Sequence, residues 1–426
     1  MQVHHSQLII DLQKKSKIQI NNSNDIKFLK EEIFSETTHK ISFNTLRRFF
    51  GFLQATKPSK KTLDILANYL GFNSYSNYLN NREIYSEWYF KMKMLRMQLN
   101  SESLLKKNVL IFNIALKNEN HIDAISGYVC FLIEQNKVDS LDVFFKYFNY
   151  NVLSESCLLK FCIYITYSFY KIKTEQTIAI YKVLLKHDSF KFSVPLFFID
   201  YNHLNGYYLK VIQLIKEQND NESDYLFCSL MEFIQKYLSN QSYSEVNIKF
   251  PNKIKNIHPV LKGRYLGYLI LKEEQLNNKT ENLIKKELKV LNPSLLLIEV
   301  IPALILKNEY EFLKCLIDKY YEQIFELEKW TSKSTAANYL IGLATVNVYN
   351  NNLKATKSNL ELVELDKVEL AYTDYIALFY YYTKIKLYNA EGLKEKTQFY
   401  FEELKRIANK MKFYHFITLS EKHISK

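Results

Sequence analysis

An all-α fold follows from three features of the 426-residue sequence. Glycine and proline are scarce, 8 and 6 in the whole chain, whereas β-rich and α/β proteins need both in many tight turns. Apolar residues recur at three- and four-residue intervals, as with Ile26, Leu29 and Ile33, or Leu63, Leu66, Ala67 and Leu70, which is the period of an amphipathic helix. Asparagine-rich turn markers recur at about one helix length, near Asn118, Asn136, Asn149, Asn219, Asn350 and Asn389. One hydrophobic core does not usually serve a chain this long, so several domains or an extended repeat array is expected.

Two regions separate by pattern, residues 1–82 with short helices and residues 83–426 with longer ones. In the first, "NDIKFLKEEIFSET" predicts a helix with Ile26, Leu29 and Ile33 inward and Phe28 and Phe34 widening that face. Ser42 is a suitable N-cap for the next helix, through about Leu53, because its hydroxyl can accept from an unpaired first-turn amide. On that helix Phe43, Leu46 and Phe50 share one side, while Asn44, Arg47 and Arg48 share another at i, i+3 and i+4. Ser59 caps the following helix and Gly71 ends it in the left-handed conformation. Ser74 then caps a last short helix, "YSNYLNN".

The second region has no Gly- or Pro-rich linker and no low-complexity tract. The segment from Asn240 to Pro259 breaks the helical pattern and reads as a long loop at which the array divides. A self-match at an offset of 39 residues aligns Tyr349 with Tyr388, Asn350 with Asn389 and Leu360 with Phe399. The most hydrophobic stretch, "LLLIEVIPALIL" from Leu295 to Leu306, contains Glu299 and Pro302 and is shorter than the roughly 20 residues needed to cross a bilayer. It reads as a buried helix, and no membrane partner is expected. The aromatic run from Leu378 to Tyr388 invites comparison with a stacking platform for single-stranded nucleic acid. Helical spacing distributes Phe379, Tyr380, Tyr381 and Tyr382 all round the helix, however, so most belong in the core.

The formal charge is +12 and the sequence pI about 9.0. Residues 1–82 hold 12 Lys and Arg against 6 Asp and Glu, a net +6, so half of the excess lies in the short first region and favours a polyanionic partner there. The five cysteines lack metal-ligand or CxxC spacing and indicate a reduced, cytoplasmic protein; the N-terminus has no signal-peptide pattern. The nine histidines are scattered, and neither HExxH, a phosphate loop, a GxSxG elbow nor a dinucleotide turn is present. Glu31-Glu32 and Glu402-Glu403 fall on expected exposed helix faces. The chain therefore reads as a non-enzymatic protein with no cofactor or metal.

Two pieces of the first region resemble the lambda-repressor-like helix-turn-helix class. Lys40, Ile41, Ser42, Thr45 and Leu46 look like the junction where the recognition helix starts. Pro58, Ser59, Thr62, Leu63, Leu66, Ala67, Leu70, Gly71 and Phe72 look like the helix that braces it. The sequence departs from the class in having Phe49 and Phe50 before Gly51, where an acidic residue and glycine are common, and in a longer connection to Pro58. The resemblance implies duplex DNA as partner. Asn and Arg side chains can make bidentate contacts with base edges, a role that fits Asn44, Arg47 and Arg48 in the first turns of a recognition helix, beside Ser42 and Thr45. Lys40, Lys57, Lys60 and Lys61 flank it as phosphate ligands.

The remainder resembles tetratricopeptide-type α-solenoids, with Gly342, Ala344 and Ala355 where paired helices must approach closely. That likeness implies a surface that receives a peptide or protein, or mediates homodimer formation. The expectation is a transcriptional regulator. The alternative is a protein-interaction scaffold or peptide-sensing array without DNA binding, in which Phe49 and Phe50 bury their helix against the array.

Overall fold

The structure, a computed structural model, describes residues 3–54, 56–100, 103–116, 118–218, 221–243, 245–250, 257–325 and 332–424. The fold is all-helical, with no strand among the described residues, and no helix among them is long and apolar enough to cross a membrane. The chain divides into two compact units, Met1–Asn100 and Ser101–Lys426. The turn expected at Asn219 and part of the loop expected at 240–259 lie outside the described residues.

The first unit contains α1 (Val3–Ser16), α2 (Ser23–Thr37), α3 (Phe43–Phe49), α4 (Lys60–Tyr69) and α5 (Tyr75–Leu99). A capping box opens α2: the Asn22 side chain accepts from the Asn24 and Asp25 amides, and the Asp25 carboxylate accepts from the Asn22 amide. Ile26, Leu29 and Ile33 are buried with Leu8 and Leu12 of α1, Leu46 of α3, and Leu66 and Ala67 of α4. Phe28 and Phe34 do not widen this face; they are 63% and 46% exposed. At about 100° per residue Phe28 lies some 200° round the helix from Ile26, and Phe34 about 100° from Ile33.

Helix α3 is shorter than the expected span to Leu53. Gly51 takes φ +83°, the Gly51 amide returns to the Arg48 carbonyl at 3.3 Å, and the Phe52 amide returns to Arg47 at 2.8 Å. Gly71, at φ +93°, ends α4 in the same Schellman geometry. The segment capped by Ser74 is longer than expected: α5 has 25 residues and passes through position 82, so the compact units part at Asn100.

The second unit begins with α6 (Lys106–Ala115), α7 (Ile122–Glu134), α8 (Val138–Tyr147), α9 (Glu155–Phe169), α10 (Thr174–Leu184) and α11 (Asp188–Ser193). Next come α12 (Tyr207–Gln218), α13 (Glu222–Leu238), α14 (Pro259–Lys272), α15 (Asn278–Glu287), α16 (Pro293–Lys307) and α17 (Tyr310–Phe325). It ends with α18 (Lys333–Tyr349), α19 (Leu353–Glu361), α20 (Thr373–Ala390), α21 (Lys394–Met411) and α22 (His415–Glu421). Helices two apart stack along much of this unit: α6 on α8, α7 on α9, α8 on α10, α10 on α12, and α14 on α16, α18 and α20 in succession.

The self-match marks two adjacent hairpins, α18–α19 and α20–α21, but their equivalence runs at 41 residues and not 39. Asn351 and Gly392 are the left-handed residues that end the first helices, and the second helices start at Leu353 and Lys394. With that phase Leu360 corresponds to Phe401, both buried, whereas Phe399 is 60% exposed. Thr356 and Thr397 also correspond, each donating its hydroxyl to the carbonyl four residues earlier, Asn352 and Leu393.

Helices α14 and α16 come together at backbone distance. A Cβ at Gly263 would lie 2.3 Å from the Leu296 carbonyl oxygen, and one at Gly267 would lie 3.1 Å from that of Glu299. At Gly342 on α18 a Cβ would meet Ile301 at 2.8 Å, in keeping with the small residue required there. The stretch Leu295–Leu306 forms most of α16 and is largely buried. Between α13 and α14 the described residues of 240–258 are non-helical; the Ile248 amide donates to the Tyr268 hydroxyl at 3.0 Å, and α13 packs directly on α14.

The row of helices turns back on itself. The Asn202 amide donates to Ala371 O at 3.0 Å, the Leu370 amide donates to the Tyr167 hydroxyl at 2.9 Å, and Asn205 Nδ2 donates to Met411 O at 2.8 Å. Tyr201 stacks on Tyr375 with ring centroids 4.1 Å apart. These contacts join positions more than 160 residues apart in sequence.

Candidate nucleic-acid interface and interior cavity

The first unit brings most of the expected DNA-facing residues onto α3 and its flanks. Ser42 caps α3, its hydroxyl accepting from the Thr45 amide at 3.0 Å and lying 2.7 Å from the Thr45 hydroxyl. These two hydroxyls thus fix the helix start. Asn44 and Arg48 are exposed one turn apart, while Arg47 between them is half-buried. The Arg47 guanidinium lies 5.5 Å from the Phe43 ring centroid, and its Nε is buried without a hydrogen-bond partner among the described residues. Of the three side chains, Asn44 and Arg48 have the greater freedom to reach a ligand.

Phe49 and Phe50 face inward. Both pack against the first unit's own core, with ring centroids 5.6 Å apart at 81°, so they provide no free apolar exit from α3. Lys40, Lys57, Lys60 and Lys61 are all exposed. None of them, nor Arg47 or Arg48, forms an ion pair among the described residues; Lys40 instead sits 5.9 Å from the Phe34 ring centroid, a contact that gives exposed Phe34 a use. Lys60 and Lys61 occupy the first turn of α4, which contains no acidic residue. Cations there oppose the helix dipole.

Glu32 differs from expectation, since it is half-buried and accepts from the Tyr69 hydroxyl at 2.7 Å. Burial and this carboxylate both raise the Tyr69 pKa, keeping it a neutral donor. Glu403 pairs with Arg406 at 2.9 Å on an exposed face. In the aromatic run, Phe379 and Tyr382 are core residues, while Tyr388 stacks on Tyr400 at 5.3 Å. No grouping of His, Cys, Asp and Glu among the described residues could hold a metal ion.

The second unit contains a cavity of about 450 Å³ that the linear reading did not locate. It lies among α9, α13, α14, α16 and the starts of α18 and α20. The close approach of α14 to α16 sets buried Arg264 against Glu299, which accepts from its Nη2; the Tyr201 hydroxyl donates to the other Glu299 oxygen at 3.3 Å. On another wall, buried Asp224 pairs with buried Lys191 at 3.0 Å. Burial lowers the pKa of His258 at the cavity, so this ring is neutral at neutral pH. The paired glycines in "GRYLG", Gly263 and Gly267, were the available sequence signal: in a chain with 8 glycines, two at i and i+4 on one helix mark a close approach.

Comparison with known protein families, curated proteins and solved structures gives no match to this chain.

Proposed function

We propose that the protein is a non-enzymatic transcriptional regulator. Its first unit binds duplex DNA through α3, and its second, read as a tetratricopeptide-like α-solenoid, receives a protein, peptide or other ligand. The observation that carries the DNA reading is the set of six Lys and Arg side chains around α3 and α4 that no carboxylate neutralises among the described residues. Asn44 and Arg48 project from α3 to read base edges, and Lys40, Lys57, Lys60 and Lys61 neutralise phosphates. The amide-rich start of α4 adds to the attraction for phosphate, since helix dipole and lysines there act in the same direction. The solenoid reading is supported by the next-but-one stacking of helices and by the 41-residue equivalence of two hairpins.

The test is fluorescence anisotropy with labelled duplex DNA across a salt series. The intact chain should bind at low salt, with affinity falling steeply as salt rises. The double substitution Arg47→Ala, Arg48→Ala should lower affinity at least tenfold while leaving far-ultraviolet circular dichroism unchanged. Absence of duplex binding by the intact chain at low salt removes the proposal.

A second reading, a protein-interaction scaffold without DNA binding, is favoured by α5. Trp88 and Tyr89 are 51% and 66% exposed there, and Leu99 is 83% exposed, apolar area of the kind that partner surfaces cover. Sedimentation velocity on the intact chain and on Trp88→Glu tests whether that area holds a second copy: the scaffold reading gains if self-association is lost in the variant and no duplex is bound.

A further inference from the structure

The cavity in the second unit has the properties of a ligand site. Its volume of about 450 Å³ falls within the roughly 300–1,000 Å³ typical of small-molecule pockets. Much of its wall is apolar, including Leu158, Phe197, Phe227, Leu261, Leu295 and Ile298. Its buried charges cancel, because Arg264 is paired with Glu299 and Asp224 with Lys191; His258 is neutral, and Glu155 is exposed to solvent. A ligand bearing net charge would give up its hydration and find no unpaired buried counter-charge among the described residues.

Two groups in this wall, both more than nine-tenths buried, keep unused hydrogen-bonding capacity. Asn338 spends Nδ2 on the Ile298 carbonyl at 2.7 Å, and its Oδ1 accepts no hydrogen bond among the described residues. Arg264 spends Nη2 on Glu299, and its Nη1 donates none among them. The cavity thus offers an acceptor for an N–H and a donor for a carbonyl, the two halves of amide recognition.

We propose that this cavity binds a net-uncharged amide carrying apolar side groups, received by Asn338 and Arg264 within the apolar wall. This deepens the receiving role given above to the second unit, and it does not depend on DNA binding by the first.

Isothermal titration calorimetry on the full chain tests it with three probes of one skeleton: N-acetyl-leucyl-phenylalanine amide, which is uncharged; N-acetyl-leucyl-phenylalanine, an anion; and leucyl-phenylalanine amide, a cation. The uncharged probe should bind saturably with one site per chain and at least tenfold more tightly than either charged one. Leu295→Trp and Leu158→Trp fill the cavity from different helices, and each variant that keeps the parent melting temperature should lose at least tenfold in affinity. Failure of the uncharged probe to saturate, equal binding of a charged probe, or parent-like binding by a folded Trp variant overturns the proposal. Duplex binding measured on the same preparations separates the two claims: probe binding without DNA binding retires the regulator reading and keeps this one.

Discussion

At the scale of single residues, the second unit depends on polar groups whose partners are remote in sequence or closely spaced around a turn. Asp200 is 1% exposed and accepts from the Tyr170 hydroxyl at 2.6 Å, the Tyr207 hydroxyl at 2.5 Å and His203 Nδ1 at 3.0 Å. Burial, with Asp200 adding to it, raises the pKa of both tyrosines far out of the physiological range, so they remain donors. Asp200→Ala leaves two largely buried hydroxyls without an acceptor, and at about 1–3 kcal/mol for each unsatisfied group it should destabilise the protein by roughly 2 kcal/mol or more in urea unfolding. His415 makes a pH-dependent contribution. It lies against Tyr237, with ring centroids 4.5 Å apart, and burial, aided by Lys422 and Lys307, depresses its pKa to about 4. An unfolded histidine titrates near 6.5. The native state therefore favours the neutral ring, and the contribution is fully present above pH 6.5 and lost as pH falls through 4. Denaturation midpoints should decline across that window, by about 3 kcal/mol at most from this group, and His415→Gln should flatten the decline.

At the scale of elements, termination and close approach decide what the period of apolar residues cannot. Ser42, Ser59 and Ser74 cap their helices as the sequence indicated, because an N-cap is a local hydrogen bond within four residues. Helix ends were less legible. The stop of α3 is set by Gly51 closing onto Arg47 and Arg48, and α5 continues because nothing between Tyr75 and Leu99 breaks it. The self-match was misphased by two residues for a related reason: Asn351 and Gly392 set the turns, and their side chains do not resemble one another. At Gly263, where α14 meets α16, no side chain larger than hydrogen fits without a backbone shift. Gly263→Ala places its Cβ against the Leu296 backbone carbonyl, which cannot rotate aside. The substitution should cost at least about 2 kcal/mol, measured by chemical denaturation, despite the better helix propensity of alanine.

At the scale of the whole second unit, a helical row that only stacked would behave as a nearly one-dimensional system, free to fray from its ends. Here the row is tied across itself by Asn202 to Ala371, Tyr167 to Leu370 and Asn205 to Met411. Helix α22 also packs on α13 and α20. Hydrogen exchange should accordingly find α22 protected on a timescale close to that of α14, and Asn205→Ala should make exchange in α21 and α22 faster than in α14. Equal acceleration in all three would mean that the tie does not act locally. The sequence by itself determined the all-helical class, the capped helix starts, the inward stripe of α2 and the clustering of positive charge near α3, because propensity, capping and charge are local properties of a few neighbouring residues. It also singled out Asn44, Arg47 and Arg48 as one helix face, although only packing against Phe43 decided that Arg47 is less free than its neighbours. The cavity, the pairing of Arg264 with Glu299 and the hub at Asp200 were decided by tertiary structure alone. Each requires groups such as Arg264 and Glu299, 35 residues apart, to meet through helix packing, and no local period or motif encodes which distant face a buried polar side chain will find.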